Sequence, residues 1–303
     1  MNAGEMLDQL TVTAKQVNEE TGDIIPGEFR IKNPTAFADQ FKEHAKGGHT
    51  KGYPLAWGKT EESFVCRPGE VTIVHGLSSS GKTAWLSHNT LYWLQMCKVM
   101  VASLEMMPVL QLQRLYAQKY GSPDIVESNI PEFLNSLDNL YIYDQGASTS
   151  LFDMMAMIHW GVLQGVEIFV IDSLMKLSNV SEESMESQKN AMSILADLAI
   201  EYKIHIFIVC HSRKLMNDYD IPLANQISGS QHLRNLASNI LCVWRNKEKH
   251  SKILNGDITA EDARTIPDCK VLVQKQRNYF GDNGEPVWNF WFDGKSMLYK
   301  ERP

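Results

Sequence analysis

One segment constrains this chain more than any other: Val71-Thr72-Ile73-Val74-His75, followed at once by Gly76-Leu77-Ser78-Ser79-Ser80-Gly81-Lys82-Thr83. The β-branched run reads as a buried strand, and the stretch from Lys82 to Met96 reads as a helix. Between them lies the spacing G-x-x-x-x-G-K-[ST], in which a glycine-bounded loop turns successive backbone N–H groups toward an anion at the positive end of a helix. That arrangement suits the phosphates of a nucleotide. Gly76 and Gly81 let the backbone curl, while Ser78, Ser79, Ser80 and Ala84 complete the lining. Lys82 is placed to neutralise β- and γ-phosphate oxygens, and the Thr83 hydroxyl suits Mg²⁺. By composition, such a string arises by chance in roughly one chain of this length in a hundred.

The rest of the chain repeats the same alternation. Short apolar strands are expected at Val99 to Leu104, Tyr141 to Tyr143, Glu167 to Ile171, His205 to Cys210 and Asn239 to Trp244. Helices are expected at Val109 to Gln118, Ser150 to Leu163, Glu186 to Tyr202 and Gln231 to Ala237. Strands without polar alternation belong to a mostly parallel sheet covered on both faces by helices, an α/β fold. Beyond Lys270 the rhythm becomes an antiparallel hairpin, VLVQKQRNYF and PVWNFWF flanking Gly281-Asp282-Asn283-Gly284. Three regions follow: an extended or disordered arm over 1–32, a short helix and link over 33–58, and a main domain over 59–303. Asn33-Pro34 starts the short helix, and Phe37, Phe41 and Ala45 fall on one face of it. Those phenylalanines pack either on their own domain or on a second copy.

Composition removes several classes of protein. The chain has 303 residues and five scattered cysteines, which suit neither a disulfide framework nor a zinc pair. No apolar run of about 18 residues appears, and the N-terminus is polar and acidic, so a soluble, cytoplasmic protein without a membrane partner is expected. A formal net charge of -7 argues against coating nucleic acid over the whole surface but leaves room for a local basic channel.

Other chemistry-bearing residues fall at predicted strand ends. Asp172 ends Ile168 to Ile171, where a second Mg²⁺ anchor is expected in an open parallel sheet. Glu105 follows Val99 to Leu104; it either polarises an attacking water or caps the helix that begins near Pro108. His211 follows its strand at the same edge and either senses a γ-phosphate or is an ordinary polar residue. Lys275 and Arg277 alternate by two, so they act together either as a trans-acting finger or as a solvated basic edge.

Taken in order, GLSSSGKT, SLEM with Arg114 after it, FVIDS, VCHSRK and KQRN resemble the DnaB-like hexameric replicative DNA helicases. The likeness is greatest to the motor domains of T-odd phage helicase-primases and the mitochondrial Twinkle helicase, and it covers nearly all of Phe37 to Tyr299. It implies a RecA-like P-loop NTPase core using ATP, or another NTP or dNTP, with Mg²⁺. It further implies that Glu105 is the base, that His211 is the γ-phosphate sensor, and that Lys275 and Arg277 act on the adjacent subunit's nucleotide. Arg245 then matches a position flanking the base, and Trp291 a stacking aromatic if the hairpin holds one extra residue. Channel loops, the stretches 173–188 and 212–234, would contact single-stranded DNA through Arg213, Lys214, Gly229, Ser230, Arg234 and Asn235. The helix near Phe37 would grip a neighbour in a homo-oligomeric, hexameric ring. The resemblance implies 5'-to-3' translocation and unwinding; a RecA-like ATPase that binds DNA without unwinding is the alternative. Neither a primase module nor a helical collar is recognisable, so a separate primase and DNA polymerase, a phage-derived gene and a host cytoplasm fit this reading.

Overall fold

In the computed structural model, residues 33–39, 41–42, 52–145, 148–178, 180, 184–229, 231–278 and 285–302 are described. The chain forms two units, Met1–Lys51 and Gly52–Pro303. In the first, the Asn33 side chain accepts the Thr35 N–H at 3.1 Å, Pro34 follows at the first helical position, and Pro34–Phe37 make a 3-10 turn that passes into helical backbone. Phe37 and Phe41 are exposed. The arm over 1–32 and Ala45 lie outside the described residues.

The second unit begins earlier than the sequence suggests. Strand β1 (Tyr53–Pro54) pairs antiparallel with β2 (Val65–Cys66), and between them Leu55 and Trp57 are buried. The link therefore ends at Lys51 instead of residue 58, because two large apolar side chains draw Gly52 onward into the core.

Next come β3 (Glu70–Gly76), helix α1 (Lys82–Trp93), β4 (Lys98–Ser103), α2 (Pro108–Tyr120), α3 (Ile130–Asn135) and β5 (Leu140–Ile142). They are followed by α4 (Leu151–Leu163), β6 (Val166–Asp172), α5 (Met185–Tyr202), β7 (His205–His211), α6 (Gln231–Leu236) and β8 (Asn239–Arg245). The chain ends with α7 (Lys247–Asn255), α8 (Ala260–Thr265), β9 (Cys269–Gln276), β10 (Val287–Asp293) and β11 (Leu298–Lys300). Among the described residues, one nine-stranded sheet runs β11-β10-β9-β8-β3-β7-β6-β4-β5. Strands β5, β4, β6, β7, β3 and β8 are mutually parallel, and β9, β10 and β11 add on antiparallel. The turn expected at Gly281 to Gly284 lies outside the described residues.

Burial explains the parallel half. All seven residues of β3 are buried, and its side chains alternate between two cores. Val74 meets Trp85 and Trp93 of α1 and Leu115 and Tyr116 of α2, whereas Val71 and Ile73 meet Met154 and Ile158 of α4 and Leu195 of α5. Each such large apolar side chain contributes about 1.5–3 kcal/mol. Local signals set the helix ends. Ser150 and Asp153 form a reciprocal capping box at α4, and Pro108 opens α2.

All five cysteines are buried and unpaired. Among the described residues no helix is long and apolar enough to cross a membrane.

Candidate functional site

Parallel strands in register bring their carboxyl ends to one line. Gly76 pairs with His211 and Ser103 with Asp172, so the phosphate loop, the residue two beyond Ser103, the aspartate and the histidine all emerge at one edge of the sheet. Gly76 comes so close to the Val243 carbonyl that a β-carbon there would collide with it. Gly81 caps α1 with φ of 96°, and a side chain at that position would strike the Tyr299 hydroxyl, which itself donates to the Gly81 carbonyl at 3.0 Å.

Lys82 is buried, its ammonium held by the carbonyls of Gly76 (3.1 Å) and Leu77 (3.0 Å). Burial pushes its pKa down, and the carboxylates of Asp172 and Glu105 oppose that shift. The Thr83 hydroxyl donates to Asp172 Oδ2 at 2.6 Å. Burial raises the Asp172 pKa, the Thr83 bond lowers it, and a nearby cation would restore full ionisation. The Ser80 hydroxyl is buried without a hydrogen-bond partner among the described residues, as are Ser103 Oγ, Gln111 Oε1 and Arg114 Nε and Nη1. Such orphaned donors and acceptors fit a polyanion with its bound water. Two hard oxygen donors in contact fit Mg²⁺ completed by phosphates and water. Among the described residues no group of three or more His, Cys, Asp and Glu side chains is placed to hold a metal, so this pair is the place for one.

Glu105 does not cap α2. Met107 is the N-cap there, without a side-chain cap bond. Instead Glu105 Oε1 accepts from Ser173 Oγ at 3.1 Å and lies 3.4 Å from His211 Nε2. Both Glu105 and His211 are about one-third exposed, accessible to a water and a phosphate. Ser173, absent from the sequence expectations, fixes the carboxylate; only the pairing of β4 with β6 reveals it.

Beside the loop opens a cleft of about 460 Å³, lined by Ser79, Gly81, Arg245, His250, Phe292 and Tyr299 among others. Arg245 occupies the wall expected for it. Trp291 does not line this cleft. Its indole N–H donates to the Arg264 carbonyl on α8 at 2.7 Å, and it faces an adjoining cleft of about 520 Å³. The stacking expectation for Trp291 is therefore corrected to Phe292. Alternation on β10 turns Phe292 to the side of buried Trp288 and Phe290, where its ring meets Tyr299 at 5.0 Å.

Lys275 and Arg277 do project together, and neither is a freely solvated charge. Lys275 Nζ donates to the carbonyls of Arg234 (2.6 Å), Asn235 (3.3 Å) and Ala237 (2.7 Å), and Arg277 Nη2 donates to Asn235 (2.6 Å). They cap the negative C-terminal end of α6. Burial, with repulsion from Arg277, pushes the Lys275 pKa down to about 8.

Of the expected DNA contacts, Arg213 and Lys214 are exposed just beyond β7, and Arg234 and Asn235 stand on α6. Gly229 packs against Leu233 and Gln188 with φ of 113°, and Ser230 lies outside the described residues.

Fold and site together define a P-loop nucleoside triphosphatase of the RecA-like kind, a nucleotide-binding protein. A family model described as an AAA domain matches residues 65–217, half of the chain, and the chain belongs to that family. Its fold is that of a DnaB-like helicase motor domain. One solved structure, of an isolated ATPase domain, superposes with a TM-score of 0.69 at 15% identity, over 88% of this chain and 96% of that one. A solved DnaB-like replicative helicase matches with a TM-score of 0.69 at 14% identity, over 98% of this chain and 71% of that one. The chain is also 22% identical over 226 residues to the chloroplastic/mitochondrial Twinkle homolog protein of Arabidopsis thaliana. That match takes in 67% of this chain and 32% of the relative, so the chain spans about a third of that protein's length.

Proposed function

We propose that this chain is the motor of a replicative ring helicase that couples ATP hydrolysis to 5'-to-3' movement on single-stranded DNA and duplex unwinding. The observation that carries the proposal is the single sheet edge at which Lys82, the Thr83–Asp172 pair and the Glu105–His211 pair converge. In this reading the loop amides and Lys82 bind the β- and γ-phosphates, and Thr83 and Asp172 hold Mg²⁺. The ion supplies charge neutralisation when bound. Glu105, oriented by Ser173, takes a proton from the water that attacks the γ-phosphorus as the bond to the ADP oxygen breaks. His211 donates to a γ-phosphate oxygen and so registers its loss.

The site is half of one. Lys275 and Arg277 reach the nucleotide of an adjacent copy, with the exposed Phe37 and Phe41 docking on that neighbour. Arg213, Lys214 and the α6 residues track the phosphates of a single strand whatever its sequence. Support for unwinding comes from the Twinkle homolog relative and from the fold shared with a DnaB-like replicative helicase, whose solved structure concerns its interactions with primase. A primase on another polypeptide is the corresponding partner. The second reading, a RecA-like ATPase that binds DNA without unwinding it, rests on the same sheet edge.

A forked duplex with a 5' tail separates the two readings. ATP-dependent strand release by the wild type, abolished in Lys82→Ala, is the expected result. DNA-stimulated hydrolysis without release would replace the helicase with the second reading.

A further inference from the structure

His75 and Gln274 take no part in the chemistry described above, yet they join the loop after β7 to the root of the phosphate loop. Gln274 is the extra residue of a β-bulge: Leu241 pairs with Val273 and Ile240 with Lys275, which leaves Gln274 without a partner opposite. Bulges re-aim side chains, and this one sends the Gln274 amide between two elements far apart in sequence. Its N–H donates to the carbonyl of Pro222 at 2.7 Å, in the segment between β7 and α6, and its Oε1 lies 2.8 Å from His75 Nε2. His75 Nδ1 lies 2.9 Å from Ser212 Oγ.

With the amide oriented by Pro222, its oxygen can only accept, so His75 carries its hydrogen on Nε2 and its Nδ1 accepts from the Ser212 hydroxyl. Burial holds the ring neutral, with a pKa pushed down to about 4, so this order of donors does not change over the physiological range. The relay ends beside two functional positions. His75 immediately precedes Gly76, whose carbonyl accepts the Ser212 N–H at 3.0 Å, and Ser212 follows His211. The far side of the same loop returns to that point, because Ser228 N–H donates to the His211 carbonyl at 2.7 Å and Arg213 N–H to Gln226 at 2.7 Å. A movement at Pro222 is therefore transmitted through three side-chain hydrogen bonds to the backbone that carries His211.

We infer that Gln274 and His75 are positioning residues that couple the loop at residues 212–228 to the nucleotide site, acting through Ser212 on the placement of His211. The coupling of nucleotide to DNA rests on the function proposed above; the coupling of nucleotide to loop does not.

Three properties should be measured on Gln274→Met, which keeps the volume without the amide, and on Gln274→Glu, which keeps the acceptor for His75 but cannot donate to Pro222. They are the affinity for a fluorescent ADP analogue, hydrolysis with and without a single-stranded oligonucleotide, and hydrogen exchange of residues 213–223 with and without a non-hydrolysable ATP analogue and Mg²⁺. Both variants should bind nucleotide within about twofold of wild type, yet lose about fivefold or more of the DNA stimulation and the nucleotide-dependent protection of the loop. Ser212→Ala, which breaks the other end of the relay, should reproduce this if Gln274→Met fails to fold. Stimulation and protection unchanged in the variants would overturn the relay, as would a parallel loss of nucleotide affinity, which marks a merely structural role. No nucleotide-dependent protection in the wild type would overturn it too. A wild type whose loop responds to nucleotide through Gln274, but whose hydrolysis ignores DNA, would sink the proposed function and leave the relay standing.

Discussion

The two halves of the sheet hold their charged residues by different means. In the parallel half, β4, β6, β7 and β3 are buried on both faces, and the functional groups follow within two residues of their carboxyl ends. Their positions are therefore fixed by packed cores that a local change cannot easily move. In the antiparallel half, β9 to β11 carry Lys275, Arg277 and Phe292 on partly exposed strands, held by helix-end carbonyls and by a bulge. The first half assembles a phosphate and water site from one chain. The second presents two cations whose hydrogen-bond partners, among the described residues, are the carbonyls at the end of α6. This contrast is the physical basis for placing a second copy beside it.

The largest expected effect tests the antiparallel half. Arg277→Ala should lower DNA-stimulated hydrolysis by about 10³–10⁵-fold with nucleotide affinity nearly intact, measured as steady-state phosphate release. A loss of less than tenfold would mean that Arg277 only caps α6. For the parallel half, Glu105→Gln should cost about 10²–10⁴-fold in turnover while Mg²⁺-nucleotide binding persists. If binding were lost as well, the assignment of metal holding to Thr83 and Asp172 alone would fail.

A pH profile sharpens the contrast further. The Lys275 ammonium deprotonates near 8 in the folded chain against 10.5 for the free side chain. Its charge is lost as the pH rises through that value, so hydrolysis should fall several-fold between about pH 7 and 9, whereas Lys275→Arg should stay flat. The unfolded chain binds the extra proton over this window, so the shift makes folding more favourable as pH rises. Melting temperatures recorded alongside should therefore not fall with the activity because of this group. A profile identical in wild type and Lys275→Arg would remove Lys275 from the reaction. The smallest effect concerns the contact between the halves: Tyr299→Phe, which removes the bond to the Gly81 carbonyl, should destabilise by about 0.5–1.5 kcal/mol in chemical denaturation. No change there would mean that β11 does not hold the phosphate loop.

The contrast also explains which features are legible in the sequence. Unbroken apolar strands announce themselves, so β3, β4, β6, β7 and β8 and the residues at their ends, Gly76, Glu105, Asp172, His211 and Arg245, can be placed by reading. Helices α7 and α8 cannot, because KEKHSKILN and AEDART bury little and depend on caps at Asn246 and Thr259. Trp291 and Phe292 cannot be told apart as the cleft aromatic, because a strand's facing is set by register, which counting across a hairpin does not supply. Ser173 and the His75–Gln274 pair are invisible for a related reason. Their meaning lies in contacts across the sheet, the latter between positions 199 residues apart, made possible by one bulged residue.

The central claim, a catalytic site shared by two copies, is tested most directly by mixing Arg277→Ala subunits with Glu105→Gln subunits, each inactive alone, and measuring ATP hydrolysis with single-stranded DNA. Mixed assemblies should regain a substantial fraction of wild-type hydrolysis, because some interfaces pair an intact Glu105 with an intact Arg277 from the other subunit. Hydrolysis that stays at the level of the separate variants, in assemblies shown to contain both, would contradict the account.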